Sequence, residues 1–414
     1  MTVSVFTLGC KVNQYESGQI IRRLREQGYE VIHGLGFADC YIVNTCAVTQ
    51  EAEKKSRQMI ARIKKINPAA KIFLCGCAVQ NNPEQFGKRD GVFFLKGTAD
   101  KEDIINHLNE KGCGLDALPK EYSETGNSCA DKIRATIKIQ DGCNHFCSYC
   151  IVPYLRGRSR SRKIEHILSE ASENDSKEIV LTGVDISAFG KDTGESLSDL
   201  VLQLDRLGKR FRFGSLETGR IEEGFVDALK QCRNLCDHFH LSLQSGSDGV
   251  LKKMNRPYTT EEYRRAVELL RKNFPHCGIT TDIIAGFPTE TEEEHRQCLQ
   301  FVKEIGFSDI HVFPYSVRPG TKAAKMPQVA EEVKRRRTEE LLEVKQVLKH
   351  EFAKKCEGIE CSVLCEKQNG NYAEGYAENY LKVYVKNGTA DEIYRVKIGK
   401  VWKDGVIAEG GEKC

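Results

Sequence analysis

The chain has 414 residues, of which 40% are hydrophobic and 29% are charged, and its formal net charge is +3. This composition supports several packed domains and excludes wholesale disorder. The near-neutral charge neither requires nor excludes a nucleic-acid partner, so only a local cluster of charge could indicate one. No run approaches the ~18 apolar residues of a membrane span, and residues 1–9 read as a strand without the features of a signal peptide. We therefore expect a cytoplasmic protein that does not bind a membrane.

Cysteine is unusually frequent, with 18 residues in the chain. In the reducing cytosol, patterned cysteines more often bind metal or take part in chemistry than form disulfides. The placement of these cysteines relative to the predicted strands is therefore the first clue to function.

Residues 1–125 alternate short apolar runs with amphipathic segments. Strands are predicted at 3–8, 41–44, 71–74 and 92–95, and helices at 16–27, 51–66 and 101–109. This alternation predicts an N-terminal domain built on a parallel sheet flanked by helices. The polar stretch at 122–131 is predicted to be a linker.

A longer alternation fills residues 130–350. Strands are predicted at 135–140, 178–182, 211–217, 238–244, 279–284 and 309–315, and helices at 164–172, 197–207, 224–232, 260–272 and 292–305. Six strand–helix units predict a partial (β/α)6 barrel, short of the eight units of a closed one. In such folds the reacting groups gather at the carboxyl ends of the strands.

A charged helix is predicted at 331–355, and the pattern then changes. Short β-rich runs at 361–365, 372–376, 381–385 and 392–399 are separated by turns that include two Asn-Gly pairs. Residues 355–414 are therefore predicted to form a small all-β barrel. The overall fold class is α/β with this all-β module at its end.

The strongest functional signal is a Cys-x3-Cys-x2-Cys motif, formed by Cys143, Cys147 and Cys150 directly after a predicted strand. Three thiolates in one loop can hold three irons of a 4Fe–4S cluster and leave the fourth iron open. A zinc site or a disulfide-bonded loop is the alternative interpretation.

This motif resembles the signature of the radical S-adenosylmethionine (SAM) superfamily. The segments at 152–162, 181–185, 243–247 and 282–290 resemble the methylthiotransferases within it, and the resemblance covers essentially the whole chain. It implies that SAM binds the open iron and yields a 5′-deoxyadenosyl radical, while a second 4Fe–4S cluster holds the sulfur to be inserted. It also implies an electron donor such as flavodoxin or ferredoxin, and we expect a monomer.

Cys10, Cys46 and Cys77 each lie at or just after a predicted strand end in the N-terminal domain. Because the carboxyl ends of parallel strands share one edge of a sheet, these distant thiolates can converge. They resemble the three ligands of the family's auxiliary cluster, and the family pattern aligns Cys77 rather than its neighbour Cys75. The alternative is three buried cysteines that pack as small hydrophobic residues.

Several residues are weaker candidates for contacts with SAM or substrate. They are Tyr149, Thr182, Gly183, Glu217, Ser242, Gln244 and Arg256. Tyr149 resembles the aromatic residue that packs near the SAM adenine, and Thr182 and Gly183 end the strand where related enzymes bind the methionine amine. Each of the candidates could instead be a satisfied structural residue.

A basic run follows the cluster loop and consists of Arg156, Arg158, Arg160 and Arg162. A charge run is usually a solvated face, but its place beside the motif favours a clamp for the phosphates of tRNA. The C-terminal module resembles the TRAM domain, a small barrel appended to RNA-modifying enzymes.

The opening segment at 7–17 resembles the branch of the family that modifies N6-threonylcarbamoyladenosine next to the anticodon of tRNA. The resemblance implies that a methylthio group is added to carbon 2 of this adenine. Isopentenyl-adenosine in tRNA and an aspartate of a ribosomal protein are the substrates of the alternative branches. An iron–sulfur RNA-binding protein that does not thiolate is a further alternative.

Overall fold

The N-terminal region is built on one parallel sheet of six strands; the computed structural model describes residues 1–129, 133–408 and 411–414. The strands pair in the order β2-β1-β3-β4-β5-β6. They are β1 (Thr2–Thr7), β2 (Glu30–His33), β3 (Cys40–Thr45), β4 (Lys71–Gly76), β5 (Val92–Lys96) and β6 (Gly112–Gly114). The helices are α1 (Lys11–Glu26), α2 (Gln50–Ile66), α3 (Cys77–Asn81) and α4 (Pro83–Gly87), with a 3-10 helix at Lys101–His107.

Helices cover both faces of this sheet. The strand β3 is buried along its whole length, as expected for a parallel strand with helices on each side. On one face, Ile20 and Leu24 of α1 pack with the sheet. On the other face, Ile60 and Ile63 of α2 do so.

The central region contains two further parallel sheets, ordered β11-β10-β7 and β12-β13-β14-β15. The strands are β7 (Arg134–Lys138), β8 (Gln140–Asp141), β9 (Arg160–Ser161), β10 (Glu178–Thr182), β11 (Arg210–Phe213), β12 (Ser215–Leu216), β13 (His238–Leu241), β14 (Gly278–Ala285) and β15 (Asp309–Pro314). The helices are α5 (Val152–Arg156), α6 (Ile164–Glu173), α7 (Leu197–Asp205), α8 (Glu223–Lys230), α9 (Asp248–Lys253), α10 (Thr260–Asn273), α11 (Glu292–Ile305) and α12 (Glu331–Lys355). One hydrophobic core includes residues of both sheets, such as Ile179 and Leu241.

The C-terminal region is a seven-stranded mixed sheet in the order β20-β21-β18-β17-β16-β19-β22. Its strands are β16 (Glu360–Asn369), β17 (Tyr372–Ala377), β18 (Lys382–Lys386), β19 (Ile393–Lys397), β20 (Val401–Trp402), β21 (Gly405–Ala408) and β22 (Gly411–Lys413). Strands β18 and β21 pair parallel, and the other pairs are antiparallel. The sheet packs on the central region, where Glu366 pairs with Arg134 at 2.6 Å.

The predicted parallel sheet, the central alternation and the β-rich C-terminal region are confirmed. The helices at 292–305 and 331–355 have the predicted bounds. The sequence analysis missed the short strands β2, β6 and β20–β22, which are too short or too polar to show a clear period. The segment predicted as a helix at 101–109 forms the shorter 3-10 helix.

The predicted linker at 122–131 is packed against its surroundings over its described part. Gln19 of α1 donates a hydrogen bond of 2.6 Å to the carbonyl of Gly126. The backbone N–H of Ser128 donates to the carboxylate of Glu170 at 2.8 Å. Residues 130 and 131 of that prediction lie outside the described residues.

Glu178, the first residue of β10, forms ion pairs with arginines near the starts of the neighbouring strands β7 and β11. Its fully buried carboxylate lies 2.6 Å from Arg212, 2.7 Å from Arg134 and 3.0 Å from Arg210. Burial alone would raise the pKa of Glu178, but the charges of Arg212, Arg134 and Arg210 outweigh burial and hold this pKa at about 2. This carboxylate therefore stabilises the fold at neutral pH, and the stabilisation is lost as the pH falls through the folded-state pKa.

Replacing Glu178 with Gln is expected to lower the free energy of unfolding by about 3–5 kcal/mol at pH 7, because three buried guanidinium groups lose their shared partner. The part of the free energy of unfolding that comes from the depressed pKa of Glu178 falls by pH 3 to about half of its value at pH 7. Urea unfolding followed by circular dichroism at both pH values measures the gap between wild type and variant. Glu26→Gln, which removes an exposed partner of Arg22, is the control and should change stability by less than about 0.5 kcal/mol. A gap that widened on acidification would contradict this account.

Candidate active site

The three N-terminal cysteines lie at one edge of the first sheet. Cys10, Cys46 and Cys77 follow the neighbouring strands β1, β3 and β4. Gly9 precedes Cys10 with a φ of +101°, and a Cβ there would lie 2.7 Å from Cβ and Sγ of Cys46. Gly76 precedes Cys77 with a φ of +99°, and a Cβ there would lie 2.6 Å from Asn44 Oδ1. These two glycines allow the strands to turn sharply into helices, which brings the three thiols together.

Cys75 and Cys77 lie close in sequence but in different surroundings. Cys75 is buried in the hydrophobic cluster on the α1 face of the sheet, with Phe73 and Ile104. Cys77 belongs to the cluster on the opposite face and begins α3. Cys77 therefore lies at the strand-end edge that also carries Cys10 and Cys46, whereas Cys75 packs on the α1 face of the sheet.

The second set of cysteines lies in the loop that follows β8. The N–H of Cys143 donates to the carbonyl of Gly157 at 3.1 Å, and the N–H of Cys150 donates to the carbonyl of Cys147 at 2.9 Å. The N–H of His145 donates to Cys143 Sγ at 3.4 Å. The loop backbone therefore holds the three thiols on one short turn.

Burial raises the pKa of Cys46 to about 11 and the pKa values of Cys143 and Cys150 to about 12. Neighbouring thiols contribute to these raised pKa values: Cys77 and Cys10 for Cys46, Cys150 and Cys147 for Cys143, and Cys147 and Cys77 for Cys150. Buried thiols cannot all ionise without nearby positive charge, and iron ions supply that charge to cysteine thiolates. The donor set therefore fits two iron–sulfur clusters.

Arg256 links the second cysteine set to the carboxyl ends of the central strands. Its guanidinium donates to Cys147 Sγ at 3.2 Å and to Tyr258 Oη at 3.0 Å, and it forms an ion pair with Glu217. The N–H of Glu217 donates to Ser187 Oγ at 2.8 Å. Two of the weaker sequence candidates, Glu217 and Arg256, are thus brought directly to the cysteine loop.

The other weak candidates divide between open and buried surroundings. Thr182 and Gly183 line a cavity at the end of β10. Ser242 is buried, and its carbonyl accepts a hydrogen bond from Tyr258. Gln244 has a φ of +71°, and its N–H donates to the carbonyl of Asp282 at 2.8 Å. This unusual backbone conformation of a residue other than glycine marks a constrained strand end.

Tyr149 packs edge-to-face on Phe287, with ring centroids 6.5 Å apart. The sequence analysis missed His145 and Asp185, which form an ion pair of 3.2 Å beside the cysteine loop. The hydrogen bond that the His145 ring donates to Asp185 raises the pKa of His145 despite its partial burial. The position of His145 inside the Cys-x3-Cys spacing was the available signal.

A cavity of about 780 Å³ extends from Cys10 into the central region. Cys10 and Lys11 line it from the N-terminal region, and Thr182 and Gly183 line it from β10. Its far wall carries a polar group whose ligand atoms lie within 4.8 Å of one another: His240, Asp282 and His311. Cavities of this size accommodate small-molecule ligands, so a nucleoside could lie beside Cys10 and the end of β10.

The structure corrects the prediction that Arg156 and Arg160 clamp phosphates, since both are buried in ion pairs. Arg156 donates to Glu16 at 2.8 Å, to Asp141 at 3.0 Å and to Asn13 at 2.9 Å. Arg160 donates to Asp141 at 3.0 Å. Guanidinium groups that are enclosed and paired in this way cannot reach an RNA backbone.

Arg162 is likewise misassigned by the sequence analysis, while Arg158 remains a candidate for RNA contact. Arg162 is buried, forms an ion pair with Glu170 and donates to Glu124 at 2.5 Å. Arg158 is exposed and lies 4.6 Å from the centre of the Phe146 ring. The alternating run therefore contributes one exposed guanidinium rather than four.

Comparison with known proteins identifies the class. Residues 137–302 match the family described as the Radical SAM superfamily, and residues 2–97 match the Uncharacterized protein family UPF0004. The radical S-adenosylmethionine methyltransferase TsrM from Kitasatospora setae shares the fold, with a TM-score of 0.56 at 12% identity over 90% of this chain and 77% of that one. Fold and cysteine motif together define a radical SAM enzyme.

Relatives that match nearly the whole chain identify the family within this superfamily. Proteins named threonylcarbamoyladenosine tRNA methylthiotransferase MtaB from Bacillus subtilis and Thermotoga maritima are each 37% identical, over 99% and 98% of this chain and 96% of each relative. A protein named tRNA-2-methylthio-N(6)-dimethylallyladenosine synthase from Caldicellulosiruptor saccharolyticus is 33% identical over 93% of this chain and 87% of its own. The chain therefore belongs to the radical SAM methylthiotransferase family.

No helix in the described part of the chain is long and apolar enough to cross a bilayer.

The corrected roles of the arginines predict two different phenotypes. Replacing Arg162 with Met is expected to lower the free energy of unfolding by about 3–5 kcal/mol, because buried Glu170 loses its partner. Replacing Arg158 with Ala is expected to leave stability within about 0.5 kcal/mol and to weaken tRNA binding, with a salt slope reduced by about one. Urea unfolding and filter binding at several salt concentrations measure the two effects. If Arg162→Met kept its stability but bound tRNA more weakly, while Arg158→Ala bound tRNA normally, Arg162 would again be a candidate phosphate contact.

Proposed function

We propose that this enzyme adds a methylthio group to carbon 2 of N6-threonylcarbamoyladenosine next to the anticodon of tRNA, using SAM and two 4Fe–4S clusters. The observation that carries the proposal is that the chain holds two sets of three cysteines, one after adjoining strands of the N-terminal sheet and one in the loop after β8. Cys10 of the first set lines a cavity that reaches the end of β10. The names of the 37% identical relatives support the nucleoside.

In this proposal, Cys143, Cys147 and Cys150 hold the cluster that binds SAM. Cys10, Cys46 and Cys77 hold the auxiliary cluster. When bound, the clusters and SAM supply the radical chemistry and the sulfur, which no protein side chain provides. The chain itself positions the reacting groups, because each set is fixed on a strand end or a backbone-bonded loop.

The central residues serve to orient SAM. Thr182 and Gly183 lie at the end of β10, where polar groups can meet its methionine amine. Arg256 holds Glu217 beside the cysteine loop, and Tyr149 offers an aromatic face nearby. Ser242 and Gln244 support this edge through backbone hydrogen bonds, which favours a positioning role for them.

The proposed architecture assigns three domains. Residues 1–125 bind the auxiliary cluster, residues 130–350 form a partial (β/α)6 barrel, and residues 355–414 form a TRAM-like RNA-binding barrel. We further propose a cytoplasmic monomer that receives electrons from a donor such as flavodoxin or ferredoxin. Arg158 is the proposed phosphate contact beside the site.

Two other substrates within the family remain as alternatives. One is isopentenyl-adenosine in tRNA, which the 33% identical relative supports by its name. The other is an aspartate of a ribosomal protein. An iron–sulfur RNA-binding protein without thiolation would produce no 5′-deoxyadenosine when reduced with SAM.

The first test is mass spectrometry of tRNA nucleosides from a strain that lacks this gene, compared with its parent and with a complemented strain. We expect loss of the 2-methylthio form of threonylcarbamoyladenosine and accumulation of the unthiolated nucleoside. Loss of methylthio-isopentenyl-adenosine instead would keep the chemistry and replace the substrate. An unchanged profile in a strain without a second such gene would reject tRNA as the substrate.

The two cysteine sets have different proposed roles, so substitutions in each set should cause different losses of iron and of activity. Cys46→Ala is expected to reduce the iron content from about eight to about four per chain and to abolish thiolation while 5′-deoxyadenosine is still produced. Cys147→Ala is expected to abolish 5′-deoxyadenosine production. Cys75→Ala is the matched control, because Cys75 lies on the other face of the sheet and should leave about eight irons in place. Retention of SAM cleavage in Cys147→Ala would reject the assignment.

A further inference from the structure

Lys11 is a cation in the wall of the active-site cavity. It follows Cys10 directly, begins α1, and is exposed to the cavity that both residues line. Arg134 and Arg212 of the central sheets line the same cavity. Within residues 1–129, 133–408 and 411–414, no side chain or backbone group forms an ion pair or a hydrogen bond with Lys11.

The other strong cations of the cavity wall already have carboxylate partners. Arg134 pairs with Glu178 and Glu366, and Arg212 pairs with Glu178. Both guanidinium groups also lie over the ring of Tyr380. Among the described lining residues, Lys11 is therefore the ammonium or guanidinium group that is free to bind an anion.

The position of Lys11 suits one part of the proposed substrate. Carbon 2 and carbon 6 of adenine flank the same ring nitrogen, so a substituent on N6 lies near whatever approaches carbon 2. Cys10, a proposed ligand of the sulfur-bearing cluster, is adjacent to Lys11 in the chain. A threonylcarbamoyl substituent carries a carboxylate at neutral pH, whereas the dimethylallyl substituent named for the 33% identical relative is a hydrocarbon.

We propose that Lys11 binds the carboxylate of the threonylcarbamoyl group and thereby selects this nucleoside over adenosines with an uncharged N6 substituent. This inference rests on the proposed function and names the group that determines its substrate. A charge-assisted hydrogen bond in a partly enclosed cavity discriminates more strongly than shape alone. A hydrocarbon substituent would leave the ammonium desolvated without a partner, which is unfavourable.

A second role for Lys11 has to be separated from this one. An ammonium beside Cys10 could instead balance the charge of the thiolates that hold the auxiliary cluster. In that case its loss would reduce iron content or sulfur transfer for every substrate equally. Recognition of a carboxylate would instead change the preference between a charged and a neutral substituent, with iron content unchanged.

The test uses the enzyme with both clusters and two anticodon stem-loop RNAs that differ at one group. One RNA carries N6-threonylcarbamoyladenosine and the other carries its methyl ester, which has no negative charge. Wild type is expected to thiolate the acid about 10- to 100-fold more efficiently than the ester, measured as kcat/KM. Lys11→Gln should lower kcat/KM for the acid alone, so that the ratio of kcat/KM for the acid to kcat/KM for the ester falls toward one. Lys11→Arg should retain the preference for the acid.

Controls separate substrate recognition from general damage. Lys55→Gln removes the same charge from an exposed position on α2 and should behave as wild type. Iron content and 5′-deoxyadenosine production without RNA should be unchanged in Lys11→Gln.

Three results would overturn the inference. One is a Lys11→Gln enzyme that keeps the wild-type ratio, and another is a Lys11→Gln enzyme that loses iron. The third is a wild-type enzyme that thiolates the acid and the ester equally well. If wild type thiolated neither RNA, the proposed substrate itself would be rejected, and this inference with it.

Discussion

The site depends on a buried ion network that joins the N-terminal sheet to the central region. Its two carboxylates are Glu16 of α1 and Asp141 of β8. Glu16 accepts from Lys101 at 2.6 Å, from Arg156 at 2.8 Å and from Lys138 at 3.1 Å. Because these residues belong to the N-terminal region, to α5 after the cysteine loop and to β7, one carboxylate fixes three parts of the fold relative to each other. Removing one partner of such a network typically costs about 3–5 kcal/mol.

The network also sets the electrostatic environment of the cysteines. Four cations, Lys101, Lys138, Arg156 and Arg160, face two carboxylates, which leaves an excess of positive charge in a buried volume. Burial would lower the pKa of Arg156, but Asp141 and Glu16 outweigh it and raise this pKa, with a further contribution from Cys77. Thiolates that bind iron carry negative charge, so they provide the counter-charge that the two carboxylates do not. Under the proposed function, the ions that hold the domains together and the cysteines that hold the clusters would therefore stabilise one another.

The sequence predicted the parts of the site that depend on local pattern. The Cys-x3-Cys-x2-Cys spacing and the strand ends that carry Cys10, Cys46 and Cys77 are visible in short segments. The burial of Arg156, Arg160 and Arg162 could not be predicted from short segments, because their partners lie far away in the chain. Glu16, for example, precedes Arg156 by 140 residues. A run of basic residues has the same appearance whether it is solvated or buried against distant carboxylates. The role of Glu178 was hidden for the same reason, since three strands must pair before their first residues meet.

Local pattern also conceals which charges remain free once the fold has formed. Lys11, Arg134 and Arg212 are all basic residues near strand or helix starts, and composition alone gives them equal weight. In the folded chain, Glu178 and Glu366 bind the two arginines, and the aromatic ring of Tyr380 covers both. Among the described residues, Lys11 has no ion-pair partner; it lines the cavity from the N-terminal sheet region, directly after Cys10. The constraint that places Cys10 at the edge of the cavity thus also delivers a free positive charge there, so a single strand–helix turn can supply both a cluster ligand and the means to select a substrate.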